Sequence, residues 1–370
     1  MRGSITKRGK ASWRIKFDVS SNGKRCTKYF TVHGSKKDAE VALTKLLTEA
    51  DKGTLIDASK ITVGAHMTSW LEGKELSAST RQSYAMMIRA FIIPTLGSIE
   101  LQKLKPIDVK NWLGNLKQGR YGPRKASTLA YVLSFLSAAL DAAVKLDLVA
   151  RNVADNVEPP KRESHEVQIL KADEVKTVLD ALKDSDIFPI VALALATGAR
   201  RSELLALRWC DVDLERGALR IEHSLEQTRG VLKLKSPKTR AGRRAIQLPA
   251  FAVDVLRQHR KDQLELRLKL GMGKPDADAY VFSKHDGSPL GPNGFSHTWR
   301  RELERAGLPR VTFHSLRHSH ASALIRAGLD VVRVSRQLGH SKPTITLSTY
   351  AHEFEAIDTG AADAIGKVLG

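Results

Sequence analysis

Residues 188–196 read F-P-I-V-A-L-A-L-A, apolar on every face a helix can offer, so any fold of this chain has to bury them completely. The run stops at Thr197-Gly198, and a second helical pattern restarts over residues 199–207. A side chain set in that break is held firmly by the buried helix behind it and still faces outward. Arg200 is that side chain, and Glu203, one turn on, is close enough to orient it or to cap the second helix. Taken alone, Arg200 and Arg201 read equally well as two surface arginines.

The chain's 370 residues exceed one ordinary core. Breaks in pattern divide it into three expected domains, residues 1–58, 61–158 and 165–370, with a proline-containing, mixed-charge linker at 156–164. With 60 Lys and Arg against 40 Asp and Glu the net charge is +20, and every part shares in it: +8 over residues 1–60, +5 over 61–163 and +7 over 164–370. Such an excess points to a polyanionic partner that all three parts can touch. Cys26 and Cys210 form no C-x-x-C pair, so neither a zinc knuckle nor a disulfide framework is expected. The sequence offers no apolar run of about 18 residues and no charged-then-apolar leader, which argues against a membrane span or secretion and for the cytoplasm.

The pattern predicts a mainly α chain with small β-sheets. Residues 12–19 and 26–32 alternate in the strand manner around a hairpin turn at Ser21-Asn22-Gly23-Lys24. A helix capped by Ser35 follows to Asp51, with Ala39, Ala42, Leu43, Leu46 and Leu47 on one face. Lys7, Arg8, Lys10, Arg14, Lys16, Lys24, Arg25 and Lys28 make this ribbon basic, suited to a DNA groove or backbone; a solvated charged face is the plainer alternative. Residues 61–160 predict a central helical bundle, with helices over 63–71, 80–92, 106–117 and 127–146, two of them capped by Thr80 and Ser127. In the last part, strand patterns at 218–225, 231–235 and 244–248 predict a three-stranded antiparallel sheet whose final connection, 236–242, is a basic hairpin with Lys238 at its tip.

The strongest local motif is T-F-H-S-L-R-H-S-H-A, residues 312–321, opening a helix that ends at Gly328. His314 and Arg317, three residues apart, share a face at the helix start, where backbone N–H groups also favour an anion. His314 and His318 have the spacing of a metal pair, but no glutamate lies between them and no third ligand stands nearby, so no metal is expected. A helix over 330–338 ends at Gly339, His340 follows, and Pro343 starts a short helix bearing Tyr350, flanked so that the tyrosine can be repositioned. Taken singly, a hairpin lysine that solvates a turn and a tyrosine packing a terminal helix are ordinary features. Together, two arginines, a lysine and two histidines can hold and protonate a phosphodiester that a tyrosine attacks.

At these residues the chain resembles the tyrosine recombinases, and most closely the phage-type integrases with an N-terminal arm-type DNA-binding domain. The resemblance rests on T-G-A-R-R-S-E-L-L-A-L-R-W (197–209), S-P-K-T (236–239), H-S-L-R-H (314–318) and L-G-H-S-K-P-T-I-T-L-S-T-Y-A-H (338–352), which occur in the family's order. It implies an N-terminal three-stranded sheet plus helix for arm-type sites, a core-type DNA-binding bundle and a C-terminal α+β catalytic domain. It implies that Arg200 and Arg317 bind the nonbridging oxygens, Lys238 protonates the leaving 5′ oxygen, His314 assists proton transfer, His340 hydrogen-bonds the phosphate and Tyr350 forms a 3′ phosphotyrosyl bond. No cofactor is implied. The implied partners are double-stranded DNA, further copies of the chain in a tetramer on DNA, a DNA-bending host factor and a directionality factor, with no membrane. A chromosome dimer resolvase of the same family, a type IB topoisomerase and a DNA-binding regulator that binds without cutting are the alternatives; residues 1–60 argue against the first, two accessory DNA-binding regions against the second, and the presence of all six key residues against the third. The apolar pattern at Ile357, Ala361, Ala362, Ile365, Val368 and Leu369 is expected to pack on its own or a neighbouring protomer.

Overall fold

The computed structural model describes residues 3–21, 24–51, 56, 58–119, 124–161, 169–237, 240–355, 365 and 369. Lys238 lies outside them, as do the turn residues Asn22 and Gly23 and most of the apolar pattern beyond Glu355. The chain divides into two compact units, Met1–Ser164 and His165–Gly370.

The first unit holds two separate apolar cores. Strand β1 (Gly3–Gly9), β2 (Ser12–Ser21) and β3 (Lys24–His33) form an antiparallel sheet with β2 in the middle. Period-two alternation turns Ile15 and Phe17 inward, where they are buried with Ala39 of the helix Lys36–Asp51, and leaves Arg14 and Lys16 on the opposite face. Ser35 caps that helix as expected: its Oγ accepts from the Asp38 N–H (3.3 Å) while the Asp38 carboxylate accepts from the Ser35 N–H (2.8 Å).

The bundle comprises the helices Val63–Glu72, Ala78–Met87, Ile93–Leu96, Pro106–Gln118 and Ala126–Lys145 around Val63, Met67, Ile92, Trp112, Leu136 and Leu140. Three expectations change here. Ser77, not Thr80, caps the second helix, and Lys125 precedes the last one with no side-chain cap from Ser127. The expected helix over 80–92 widens to a π turn at Ile88–Ile92, because Pro94 has no N–H to donate and its ring crowds the preceding turn. The helix Ala126–Lys145 has the length and apolar composition to cross a membrane, yet here it packs in the bundle, with nine of its residues buried in the core.

In the second unit the helix Phe188–Thr197 runs through the core, surrounded by Leu182, Leu204, Leu207, Leu256 and Leu316. The expected single sheet is two. A two-residue turn with left-handed Arg229 (φ 51°) and Gly230 (φ 82°) folds β6 (Ser224–Thr228) onto β7 (Val231–Lys235) as an isolated hairpin. The chain breaks between β5 (Ala218–Ile221) and β6, and β5 pairs instead with β4 (Val212–Asp213) and β8 (Arg244–Gln247). The connection carrying Lys238 therefore links two sheets and is no hairpin tip. The helices Phe313–Arg326, Val331–Leu338 and Pro343–Glu355 complete the unit around Ala321, Ile325, Val334, Leu338 and Tyr350.

Candidate active site

Gly198 ends the core helix in the left-handed conformation (φ 62°), and a Cβ there would stand 2.5 Å from His320 Cδ2, so the position accepts only glycine. Arg200 follows as the N-cap of the short helix Arg201–Leu204. Its backbone N–H donates to Glu203 Oε2 (2.9 Å) and its Nη1 to Glu203 Oε1 (2.7 Å), so Glu203 both caps the helix and orients the arginine. The Arg200 side chain is 37% exposed while Glu203 is 4% exposed. Burial alone pushes the Glu203 carboxyl up, but Arg244 and Arg200 outweigh it and hold the group below the usual carboxylate range.

Both motif arginines converge on one turn. Arg317, 3% exposed, donates from Nη1 to the Gly198 carbonyl (2.7 Å) and from Nη2 to the Leu338 carbonyl (2.8 Å). Arg200 Nη2 donates to the next carbonyl, Gly339 (3.2 Å). Gly339, left-handed at φ 68°, ends its helix and delivers His340 directly after these two carbonyls. Burial, then the nearby Arg200 charge, bring the Arg317 guanidinium down to about 9, still protonated at neutral pH.

His340 Nδ1 lies 2.7 Å from the buried Thr346 hydroxyl, which fixes the ring with Nε2 as its other nitrogen. Burial, and then Arg317 and Arg200, lower its imidazole to about 4. His314 stands at the exposed start of its helix, its ring edge-on to His318 at 4.8 Å; partial burial and then the Arg317 charge hold it below the ordinary histidine range.

Tyr350 is not presented to solvent. Its side chain is 1% exposed, among Ala321, Ile325, Val334 and Leu338, and its backbone (φ −124°, ψ 21°) kinks the helix that carries it. Its hydroxyl lies 2.6 Å from His318 Nδ1. Burial drives the phenol up to about 12, Arg317 opposing, and drives His318 down to about 4. At rest, then, a protonated phenol faces a neutral imidazole.

The structure thus brings Arg200, Glu203, His314, Arg317, His340 and Tyr350 into one unit. Three residues of the site were missed in the sequence: His318 on the tyrosine, Thr346 on His340 and Arg244 on Glu203. His318 was already inside H-S-L-R-H, four residues from His314, so its face was readable; for the other two no spacing signals which partner they meet. Of the basic ribbon, Lys7, Arg8, Lys10 and Lys16 are exposed and Arg14 and Lys28 half-buried; the side chains of Lys24 and Arg25 lie outside the described part.

The chain has relatives among known proteins. Residues 168–356 match the phage integrase family, and residues 62–117 the phage integrase N-terminal SAM-like domain. A XerC-like tyrosine recombinase of Caldanaerobacter subterraneus is 29% identical over 99% of this chain and 98% of its own length. The integrase of Streptomyces ambofaciens is 31% identical over 95% of this chain and 91% of its own. Among solved structures, the Tn1549 transposon integrase in complex with a circular intermediate DNA has the same fold (TM-score 0.72, 22% identity, 84% of this chain and 100% of that one). So does a lambda integrase dimer bound to a core site (TM-score 0.60, 18% identity, 93% of each chain). These matches define the class, a DNA strand transferase of the tyrosine recombinase type. The chain belongs to the phage integrase family of tyrosine recombinases, and is a site-specific recombinase.

Proposed function

We propose that residues 165–370 cut and rejoin DNA at defined attachment sites through a 3′-phosphotyrosine on Tyr350, integrating or excising a mobile element. The observation that carries this reading is the convergence of Arg317 and Arg200 on the consecutive carbonyls of Leu338 and Gly339, immediately before His340. Three phosphate-binding groups from distant segments share one rigid turn, and the tyrosine sits on the helix that follows.

In this reading Arg200 and Arg317 take the nonbridging oxygens, and His340 donates from Nε2 once the phosphate's charge favours its proton. The phenol oxygen attacks phosphorus and the bond to the 5′ oxygen breaks. His318, already in contact with the hydroxyl, is placed to take the phenol proton, with His314 assisting, while Lys238 on the β7–β8 connection protonates the leaving oxygen. Religation runs the same steps in reverse on a new 5′ hydroxyl, so the bond energy stays in the phosphotyrosine. Each arginine contributes roughly 3 kcal/mol of transition-state stabilisation, by analogy with single oxyanion donors. Residues 61–158 would hold core-type DNA and residues 1–58 arm-type DNA, with four chains assembling on the DNA in the cytoplasm.

The test is a suicide substrate, nicked so that the cleaved strand cannot rejoin. Wild-type chain should accumulate a covalent adduct that survives SDS denaturation, and Tyr350→Phe should form none while binding the site with unchanged affinity. An adduct on the Phe variant would refute the assignment.

A further inference from the structure

Arg244 belongs to none of the motifs, yet its bonds all end on the elements that build the site. It opens β8 with a side chain only 7% exposed. Its Nη2 donates to Glu203 Oε2 (2.9 Å), its Nε to the Gln337 carbonyl (2.8 Å) and its Nη1 to the Gly242 carbonyl (3.2 Å). Glu203 orients Arg200; Gln337 lies in the helix end that Gly339 closes before His340; Gly242 belongs to the connection between β7 and β8. Packing is as close as the bonding: a Cβ on Gly339 would stand 2.8 Å from Arg244 Nη1 and 3.1 Å from the Ala241 carbonyl. All three nitrogens of this fork are thus already engaged within the protein, on a side chain that is almost wholly buried.

Charge gives the contact a second consequence. Glu203 carries one negative charge and touches two guanidinium groups, so the three together keep one net positive charge, and the more exposed of the two arginines is Arg200. Without Arg244 the Arg200–Glu203 pair would be neutral, and a buried carboxylate with one partner would draw that arginine inward.

We propose that Arg244 is a positioning residue for strand transfer: it shares the charge of Glu203 so that Arg200 stays available to the scissile phosphate, and it ties the His340 turn and the β7–β8 connection to the same point. The proposal rests on the reading of Arg200 as a phosphate ligand. Single-turnover cleavage of the suicide substrate would be compared for wild type, Arg244→Met and Arg244→Lys, on a normal scissile phosphate and on a methylphosphonate, which has no charge for an arginine to neutralise.

Arg244→Met should cleave the phosphate about 100-fold more slowly, the scale of a misplaced catalytic group, with unchanged affinity for the site. Its deficit should shrink below about tenfold on the methylphosphonate, in parallel with Arg200→Ala, because the charge to be neutralised has been removed from the substrate. Arg244→Lys keeps a cation beside Glu203 and should recover part of the rate; if the Met variant does not fold, the Lys variant carries the same two-substrate comparison through a smaller deficit. Equal deficits on both substrates, or a deficit explained by weaker binding, would overturn the proposal. A wild-type chain that forms no adduct would sink the reading of the whole site, whereas active wild type with equally active Arg244 variants would sink this inference alone.

Discussion

Burial sets the proton inventory of the catalytic unit residue by residue. His318, His320 and His340 are each held down to about 4, chiefly by burial, and Tyr350 is held up to about 12 for the same reason. His320 is the plainest case: its Nδ1–H donates to the Leu195 carbonyl (2.7 Å) and its Nε2 meets no partner among the described residues. The unfolded chain protonates such histidines near their ordinary value of 6.5, the folded chain only near 4, so stability falls as pH drops through that window, by at most about 3 kcal/mol for His320 alone. The tyrosine acts at the other end: its protonated form is favoured in the fold, so its contribution is full below the ordinary value of 10 and is lost as pH rises toward 12. Melting temperature should therefore fall as pH drops below about 6.5, whereas on the alkaline side the loss from Tyr350 is opposed by Arg317, whose guanidinium, held down to about 9 in the fold, adds stability as pH rises above that value; His320→Gln should blunt the acid limb, and an unchanged limb would show that His320 is not depressed. None of this was legible in the sequence. The identities of the titrating residues were there, but a pKa depends on what surrounds the ring, and Thr346, Leu195 and the two arginines reach their histidines only through the tertiary fold.

Elements were legible where local chemistry fixes them and not where partners do. The break at Thr197-Gly198, the Ser35 cap and the stop at Gly339 could be read directly, because caps and left-handed glycines act within a few residues. The sheets could not, since strand patterns at 218–225, 231–235 and 244–248 say nothing of which strand pairs with which; the Arg229-Gly230 turn decided it by closing β6 onto β7. The Gly198 break also has a measurable effect on stability. An alanine there would have to keep a left-handed backbone, costing about 1–2 kcal/mol, and would press on His320 Cδ2 at 2.5 Å. The same peptide supplies the Gly198 carbonyl that anchors Arg317. Gly198→Ala should lose about 2–3 kcal/mol in urea unfolding, combining the backbone strain with overpacking. Single-turnover cleavage should fall as well; a loss below about 0.5 kcal/mol, the scale of an ordinary surface change, would mean that the turn relaxes freely and does not set the site.

At the scale of the whole molecule, three apolar cores share no residue: one around Ile15 and Phe17, one around Trp112 and Leu136, and the pair of clusters spanning residues 170–350. The charge is spread over all of them, and residues 1–60 hold +8 of the +20 in less than a sixth of the length. On the N-terminal sheet the inward face is spent on Ile15 and Phe17, which leaves Arg14 and Lys16 to the opposite face beside Tyr29, with Arg14 5.7 Å from the Tyr29 ring. Such a face has no core left to build and is suited to phosphates. If it binds arm-type DNA, deleting residues 1–60 should leave cleavage of a core-only suicide substrate unchanged, because every residue assigned to the chemistry lies beyond residue 165. Integration between full attachment sites should fall steeply. Binding to DNA that carries both site types should also become less sensitive to salt, since the slope of log K against log salt flattens by about 0.9 for every phosphate the protein no longer neutralises. Filter binding from 50 to 200 mM salt, a range over which about six to ten neutralised phosphates change affinity by orders of magnitude, gives the measurement. An unchanged slope together with unchanged integration would show that the N-terminal charge is solvated surface and that the recombinase selects its sites through residues 61–370 alone.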